Sequence, residues 1–280
     1  MPPAVANRVL PQASAPAAVP APASVFLPKE HGSWSLALEP VALGLLVAPS
    51  LAGLGLAAAA LAGFFARRPL RSSLAAEPPG RRGRARPVLA LLGGLALLGL
   101  AEAGLVGGWT RLWPLLAAVL PGALFLSFDL RGEARAALSE VSGAACFAFV
   151  PATLAALAGA PTPGALSLAA VIFARSLTAI LTVRACLRRA KGRPARATGP
   201  QLVSVVAAAA VALLAHAGLA PWGAAAAAVA LPVRTALALR PRHSARTARQ
   251  LGIAEAVFGT VYVAAVATAY WCAGGLAAKP

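Results

Sequence analysis

A run of twenty residues, GALSLAAVIFARSLTAILTV at positions 164–183, contains a single charged side chain, that of Arg175. A helix needs about 20 consecutive apolar residues to cross the hydrocarbon core of a bilayer. Three further runs have this length and character, namely Val88–Val106, Val141–Ala158 and Ile253–Cys272. The sequence therefore predicts an all-α bundle of transmembrane helices.

The composition of the whole chain supports the same class. Of its 280 residues, 59% are hydrophobic and 12% are charged, and the mean hydropathy is +0.77. Soluble domains are roughly 45–50% apolar and about 25% charged. The three cysteines form no CxxC pair, and the chain contains no nucleotide-binding, zinc-protease or serine-hydrolase motif. A soluble globular enzyme, a disordered chain and a disulfide scaffold are excluded.

Residues 1–24 are rich in proline and alanine, and prolines interrupt every candidate for the apolar core of a signal peptide. We predict a disordered cytoplasmic leader at 1–24 and a transmembrane domain at 25–280. Nine spans are expected, the first two forming a hairpin of short helices around Pro49. The predicted spans are Trp34–Val47, Leu51–Phe65, Val88–Val106, Leu112–Phe128, Val141–Ala158, Gly164–Val183, Leu202–Ala217, Trp222–Leu239 and Ile253–Cys272.

The net charge of +17 comes from arginines that lie between the apolar runs. Twenty basic side chains fall on one side of the predicted membrane and two, Arg111 and Lys279, on the other. Basic loops are retained in the cytoplasm, so this distribution indicates topology and not nucleic-acid binding. We predict a protein of the bacterial cytoplasmic (inner) membrane with its N-terminus inside and its C-terminus outside. The predicted cytoplasmic loops are 67–87, 129–140, 184–200 and 240–250.

Acidic residues are scarce, and three of them cluster in FDLRGEARAALSE at 128–140. If this segment is helical, Asp129, Glu133 and Glu140 share one face, while Arg131 and Arg135 point elsewhere. The carboxylates then bind a metal or cation, or accompany arginines around an anionic ligand. Alternatively, they only neutralise part of a basic surface.

Arg175 lies in the middle of the sixth predicted span. An arginine that faces lipid is costly, so this side chain is expected inside the bundle with a carboxylate partner. We expect that partner among Asp129, Glu133, Glu140 and Glu39. The arginine then belongs to an interior polar site, or to an ion pair that only fixes helix packing.

Two other segments bring polar residues to the starts of spans. PKEHGSW at 28–34 places Lys29, Glu30 and His31 before the first span, where His31 is either a catalytic base or part of a helix cap. ARQLGIAE before the last span places Glu255 in its N-terminal turn, where the helix dipole stabilises a carboxylate.

Five segments resemble the YwiC-like family of bacterial membrane proteins, to which no activity is attached. They are PKEHGSW at 28–34, FFARRPL at 64–70, FDLRGEARAALSEVSGA at 128–144, FARSLTAILTVRACLRRAKGR at 173–193 and RTARQLGIAEAVFG at 246–259.

RRPL after the second span and DLRGEARAALSEVSG also look like fragments of the motifs of UbiA-type prenyltransferases. This more distant resemblance implies nine helices, a cytoplasmic N-terminus and functional loops after helices 2 and 6. UbiA-type enzymes hold Mg²⁺ and diphosphate with two aspartate-rich motifs. The present chain departs from them, because its one aspartate is Asp129; the pair Asp129 and Glu133 is the best candidate for a metal site.

Together with the resemblance to UbiA-type enzymes, these observations predict a UbiA-like binder or transferase. It would act on an anionic-headed amphiphile, a membrane lipid or an isoprenoid-like molecule, at a cytoplasm-facing cavity. The alternatives are a transporter of small organic anions and a scaffold without catalytic activity. The expected catalytic residues are His31, Glu30, Asp129 and Glu133. The expected ligand-binding residues are Lys29, Arg67, Arg68, Arg135, Glu140, Arg175, Arg184 and Glu255.

The charge asymmetry predicts the orientation of each loop. A reporter enzyme that is active only outside the cytoplasm should be active when fused at Pro163 or Pro280, and inactive at Gly83 or Gly192. Activity at Gly192 would reverse the predicted orientation, because that loop carries much of the basic charge.

Overall fold

The computed structural model describes residues 31–74, 79–240 and 247–276, and their side chains except at 31–33 and 79–81. This part of the chain is helical and contains no strand, which confirms the predicted all-α class. The predicted leader at 1–24 lies outside the described residues. The helices are α1 (His31–Val47), α2 (Leu51–Leu74), α3 (Pro79–Gly107), α4 (Pro114–Leu130), α5 (Ala137–Leu157), α6 (Thr162–Ala190), α7 (Thr198–His216), α8 (Trp222–Ala238) and α9 (Ala248–Cys272), with a 3₁₀ turn at Trp109–Leu112.

Seven stretches of the described chain are long and apolar enough to cross a membrane, and α1 and α8 are apolar but shorter. The nine predicted spans thus correspond to nine helices in the described residues. The second span was predicted too short, since α2 continues past Phe65 to Leu74. The predicted loop at 67–87 is therefore largely helical. Arginine is a good helix former, so a helix continues where the apolar run stops.

The core of the bundle is formed by α1, α5, α6 and α9. In an apolar stretch of 18 residues of α5, 72% of the residues are buried inside the bundle, against 17% in the corresponding stretch of α3. Two clusters of buried apolar side chains divide the interior. One joins α1 and α5 to α2 and α3, and the other joins them to α6, α7, α8 and α9. Both clusters therefore meet along α1 and α5.

Helices α2 and α3 pack against each other at glycines. A Cβ atom on Gly99 would overlap the carbonyl oxygen of Gly55 and lie 3.1 Å from the backbone nitrogen of Ala59. A Cβ atom on Gly55 would overlap the carboxylate of Glu102. Small residues that let two backbones approach closely are typical of helix contacts in membranes. Helix α3 thus depends on Gly55 and Gly99 for its position.

We expect Gly99→Ala to destabilise the protein by about 1–3 kcal/mol, because the added methyl group meets backbone and not a flexible side chain. Thermal unfolding in detergent measures this effect. Gly94→Ala on the same helix is the control, since a Cβ atom there has no neighbour within 4 Å. Equal melting temperatures for the two variants would contradict the close contact.

Candidate functional site

The most deeply buried charge among the described residues is Arg175, near the middle of α6, with 2% of its surface exposed. Its Nη2 atom donates to Oε1 of Glu39 on α1 at 3.3 Å, and to the carbonyl oxygen of Glu255 on α9 at 3.0 Å. Its Nη1 atom lies 3.6 Å from Oε2 of Glu255. The predicted interior position of Arg175 is confirmed. Of the four expected partners the structure places Glu39 against Arg175, and it adds Glu255, which was not among the four.

A second arginine completes this group. Arg234 on α8 pairs through Nη2 with Oε1 of Glu255. The carboxylate of Glu255 thus lies between two guanidinium groups. The ring of Phe258 faces both, with its centroid 5.1 Å from the guanidinium carbon of Arg175 and 5.6 Å from that of Arg234. We call Glu39, Arg175, Arg234 and Glu255 the charge cluster.

Local sequence makes room for the charge cluster. Gly259 lies four residues, about one helical turn, after Glu255 on α9. A Cβ atom at Gly259 would overlap the carboxylate of Glu39 and lie 2.8 Å from Nη2 of Arg175. The glycine therefore allows α1 and α6 to bring their charged side chains against α9.

The charge cluster lies at one level of the bundle. Short connectors make consecutive helices antiparallel, so α1 and α9 begin at the end where α8 finishes. At 1.5 Å per residue, Glu39 and Glu255 lie about 10–12 Å along their helices from that end, and Arg234 about 6 Å. Because the connectors α4–α5 and α6–α7 at this end carry the basic residues, Arg234 and Glu255 are nearer the basic end, whereas Glu39 and Arg175 lie close to the middle of α1 and α6.

A cleft of about 420 Å³ opens beside the charge cluster, between α8 and α9. Two of its lining residues are polar, Arg234 and Glu255. The apolar lining residues are Ala230, Val233, Leu237, Ala238, Leu251, Ala254 and Phe258. Val233 and Leu237 are 54% and 42% exposed on the outer surface of the bundle. The cleft thus joins an apolar outer surface to a buried ion pair.

Asp129 has a different partner from Arg175. Its Oδ2 atom accepts a hydrogen bond from Nε of Arg67 at 3.3 Å, between α2 and α4. The guanidinium of Arg67 also lies 4.5 Å from the ring centroid of Phe125 and 5.1 Å from that of Phe64. These contacts bury Asp129 to 4% exposure, so its carboxylate is committed to holding α2 against α4.

Glu140 also has its own arginine. Arg184 on α6 donates through Nη1 to Oε2 of Glu140 and to the carbonyl oxygen of Arg135, both at 2.8 Å. Each side chain of this pair is about one-third exposed. The contact joins the start of α5 to the end of α6.

The predicted helical face of carboxylates at 128–140 is wrong. Helix α4 ends at Leu130, Gly132 has φ = +81°, and α5 begins at Ala137. A positive φ is readily adopted by glycine and interrupts a right-handed helix. Asp129 is consequently buried at the end of α4, whereas Glu133 is exposed in the connector.

The remaining predicted site residues are placed as follows. Lys29 and Glu30 lie outside the described residues, and His31 begins α1 although its side chain is not described. Arg68 is half-buried on α2, and Arg135 is exposed in the α4–α5 connector. Glu255 lies in the third turn of α9, not in the first turn as predicted. The first turn carries a capping box formed by Thr247 and Gln250.

The described residues contain no group of three or more His, Cys, Asp or Glu side chains placed to hold a metal ion. The suggested metal pair of Asp129 and Glu133 consists of a buried carboxylate bonded to Arg67 and an exposed one on the connector. These two positions do not favour shared coordination of Mg²⁺, which requires near-octahedral oxygen ligands.

Arg234 is the member of the charge cluster that sequence reasoning missed. The twenty basic side chains on the predicted cytoplasmic side include Arg234, although it lies inside the predicted span Trp222–Leu239. Its place within an apolar run was the signal that could have identified it, since an arginine there has to face the interior.

Part of the chain matches a known protein family. A family model described as YwiC-like protein matches residues 27–150, which confirms the predicted resemblance over that stretch. The match covers α1 to α4 and most of α5. Of the charge cluster it includes Glu39, while Arg175, Arg234 and Glu255 lie beyond it. Searches of curated proteins and of solved structures find no match.

We expect Arg175→Gln to destabilise the protein by about 3–5 kcal/mol, because it leaves the carboxylate of Glu39 buried without its counter-ion. The double variant Arg175→Gln/Glu39→Gln should recover much of this loss, since it removes both charges. Thermal unfolding in detergent provides the measurement, with Arg193→Gln in the exposed α6–α7 connector as control. A double variant no more stable than the single one would contradict the pairing.

Proposed function

We propose that this membrane protein binds an amphiphile whose anionic head reaches Arg234 and whose apolar chain occupies the cleft between α8 and α9. We further propose that it is a multi-pass protein of the bacterial cytoplasmic membrane, with the basic end of the bundle inside. The observation that carries the proposal is the composition of the cleft wall, in which Arg234 and Glu255 stand among apolar side chains.

The anionic character of the head follows from unused hydrogen-bond donors. Nη1 of Arg234 and Nε of Arg175 are buried and have no hydrogen-bond partner among the described residues. A buried donor without an acceptor is costly. Guanidinium groups bind carboxylate and phosphate oxygens with two parallel hydrogen bonds. An anionic head at Arg234 would therefore satisfy a donor that is otherwise unpaired.

The apolar part of the ligand follows from the position of the cleft. Its volume lies within the roughly 300–1,000 Å³ typical of small-molecule sites. Its outer rim includes Val233 and Leu237, which are exposed on the surface of an apolar helix. In a bilayer this rim would face the acyl chains, so a ligand dissolved in the membrane could enter sideways. Neither a small hydrophilic anion nor an uncharged lipid uses both parts of this wall.

UbiA-like transfer of a prenyl group stays a prediction from the sequence resemblance. Transport of an organic anion is the second candidate. It is favoured by Glu39 and Arg175, which lie close to the middle of α1 and α6.

A matched pair of probes tests the head and the tail separately. One probe is an alkanesulfonate with a dansyl group at the end of its chain, and the other is the uncharged alkanol of the same length. We expect the protein in detergent to bind the sulfonate at least about tenfold more tightly, since one charged hydrogen bond contributes about 1.5–3 kcal/mol. Dansyl fluorescence measures both affinities.

Two variants locate the site. Arg234→Gln should remove the preference for the sulfonate, whereas Arg193→Gln should keep it. Ala254→Phe fills the cleft and should weaken the binding of both probes. Ala226→Phe on the exposed face of α8 is the control and should leave their binding unchanged. If well-folded Arg234→Gln and Ala254→Phe bind like the wild type, the proposal is wrong. Uptake of the sulfonate into proteoliposomes would favour transport.

A further inference from the structure

We propose that the charge cluster takes up one proton with each monoanionic head that it binds, and that Glu255 is the group protonated. This inference rests on the proposed function and adds a thermodynamic coupling between the ligand and pH. It follows from the number of charges in the charge cluster and from the position of Glu255 between the two arginines.

The empty charge cluster is electrically balanced. Arg175 and Arg234 contribute two positive charges, and Glu39 and Glu255 contribute two negative charges. All four side chains are almost buried, with 2–12% of their surface exposed. A monoanion that entered this site alone would leave one uncompensated negative charge in a medium of low dielectric constant. Such a charge is strongly disfavoured, and a titratable group neutralises it by binding a proton.

Glu255 is the carboxylate that the ligand would disturb. It shares the wall of the cleft with Arg234, which is its closest partner. An anionic head that binds Arg234 would compete with Glu255 for this guanidinium group. The other oxygen of Glu255, Oε2, is already buried without a hydrogen bond among the described residues. Glu39, in contrast, keeps its hydrogen bond to Arg175, away from the cleft.

The groups that face Glu255 come from every helix packed around it. They are Arg175 on α6, Arg234 on α8 and Glu39 on α1. Tyr262 on α9 interacts with Arg175, and Cys186 on α6 interacts with Arg234. The phenol of Tyr262 is buried against the carbonyl oxygen of Val171. A tyrosine and a thiol are neutral when protonated and ordinarily stay so near neutral pH. Proton uptake near neutral pH therefore has to come from a carboxylate.

The dansyl alkanesulfonate is the probe for this coupling, because its head keeps one negative charge at every pH used. Between about pH 5.5 and about pH 8.5, the dissociation constant of the wild type should rise about tenfold per pH unit where one proton is coupled. Calorimetric titration in two buffers of different ionisation enthalpy should report uptake of about one proton per probe bound.

Glu255→Gln gives the charge cluster a net positive charge, so it should bind the sulfonate without a proton and with less than about twofold change over this range. Glu39→Gln changes the charge of the charge cluster by the same amount, and it is the variant to use if Glu255→Gln does not fold. Glu102→Gln on α3 is the control, since it removes an acid outside the charge cluster, and it should keep the uptake.

The outcomes separate this inference from the proposed function. Failure of the wild type to bind the sulfonate in preference to the alkanol overturns the proposed function. Preferential binding that depends on Arg234, without proton uptake and without pH dependence, overturns the coupling alone. Unchanged uptake by well-folded Glu255→Gln also overturns it.

Discussion

A guanidinium group inside an apolar bundle has to be neutralised, and in this protein the side chain of Arg175 brings three other helices to it. Glu39 reaches it from α1 and Glu255 from α9, while Arg234 on α8 shares the carboxylate of Glu255. Breaking a buried ion pair is far more costly than forming it is favourable. The relative positions of these helices are therefore constrained by charge as well as by apolar packing.

Two further ion pairs extend the same principle through the bundle. Arg67 and Asp129 join α2 to α4, and Arg184 and Glu140 join α6 to α5. The acid of each pair lies at the end of a helix, Asp129 at the end of α4 and Glu140 at the start of α5, at the basic end of the bundle. The charge cluster differs from them because it contains two arginines, retains unpaired donors and adjoins a cleft. These differences support the proposal that the charge cluster belongs to a binding site.

Much of the fold could be predicted from the sequence, because hydropathy reports the part of each helix that lies in a membrane. Helix ends could not, since α2 and α6 continue through arginines that favour helix as well as water. The interior position of Arg175 was predictable from the cost of exposing it to lipid. The partners of Arg175 were harder to predict, because Glu39 and Glu255 lie 136 and 80 residues away from it in sequence. The positive φ of Gly132 separated Asp129 from Glu133, and that local turn outweighed the apparent helical spacing.

The sequence separation within the charge cluster has a consequence for biosynthesis. A chain is made from its N-terminus, and domains or segments become available in that order. Glu39 is synthesised first, so this acid is already present when α6, with Arg175, leaves the ribosome. Arg234 follows and is the second cation, and Glu255 arrives last to lie between the two arginines. The ribosome thus delivers acid, base, base and acid in turn, and the net charge of the nascent group never exceeds one unit in either direction.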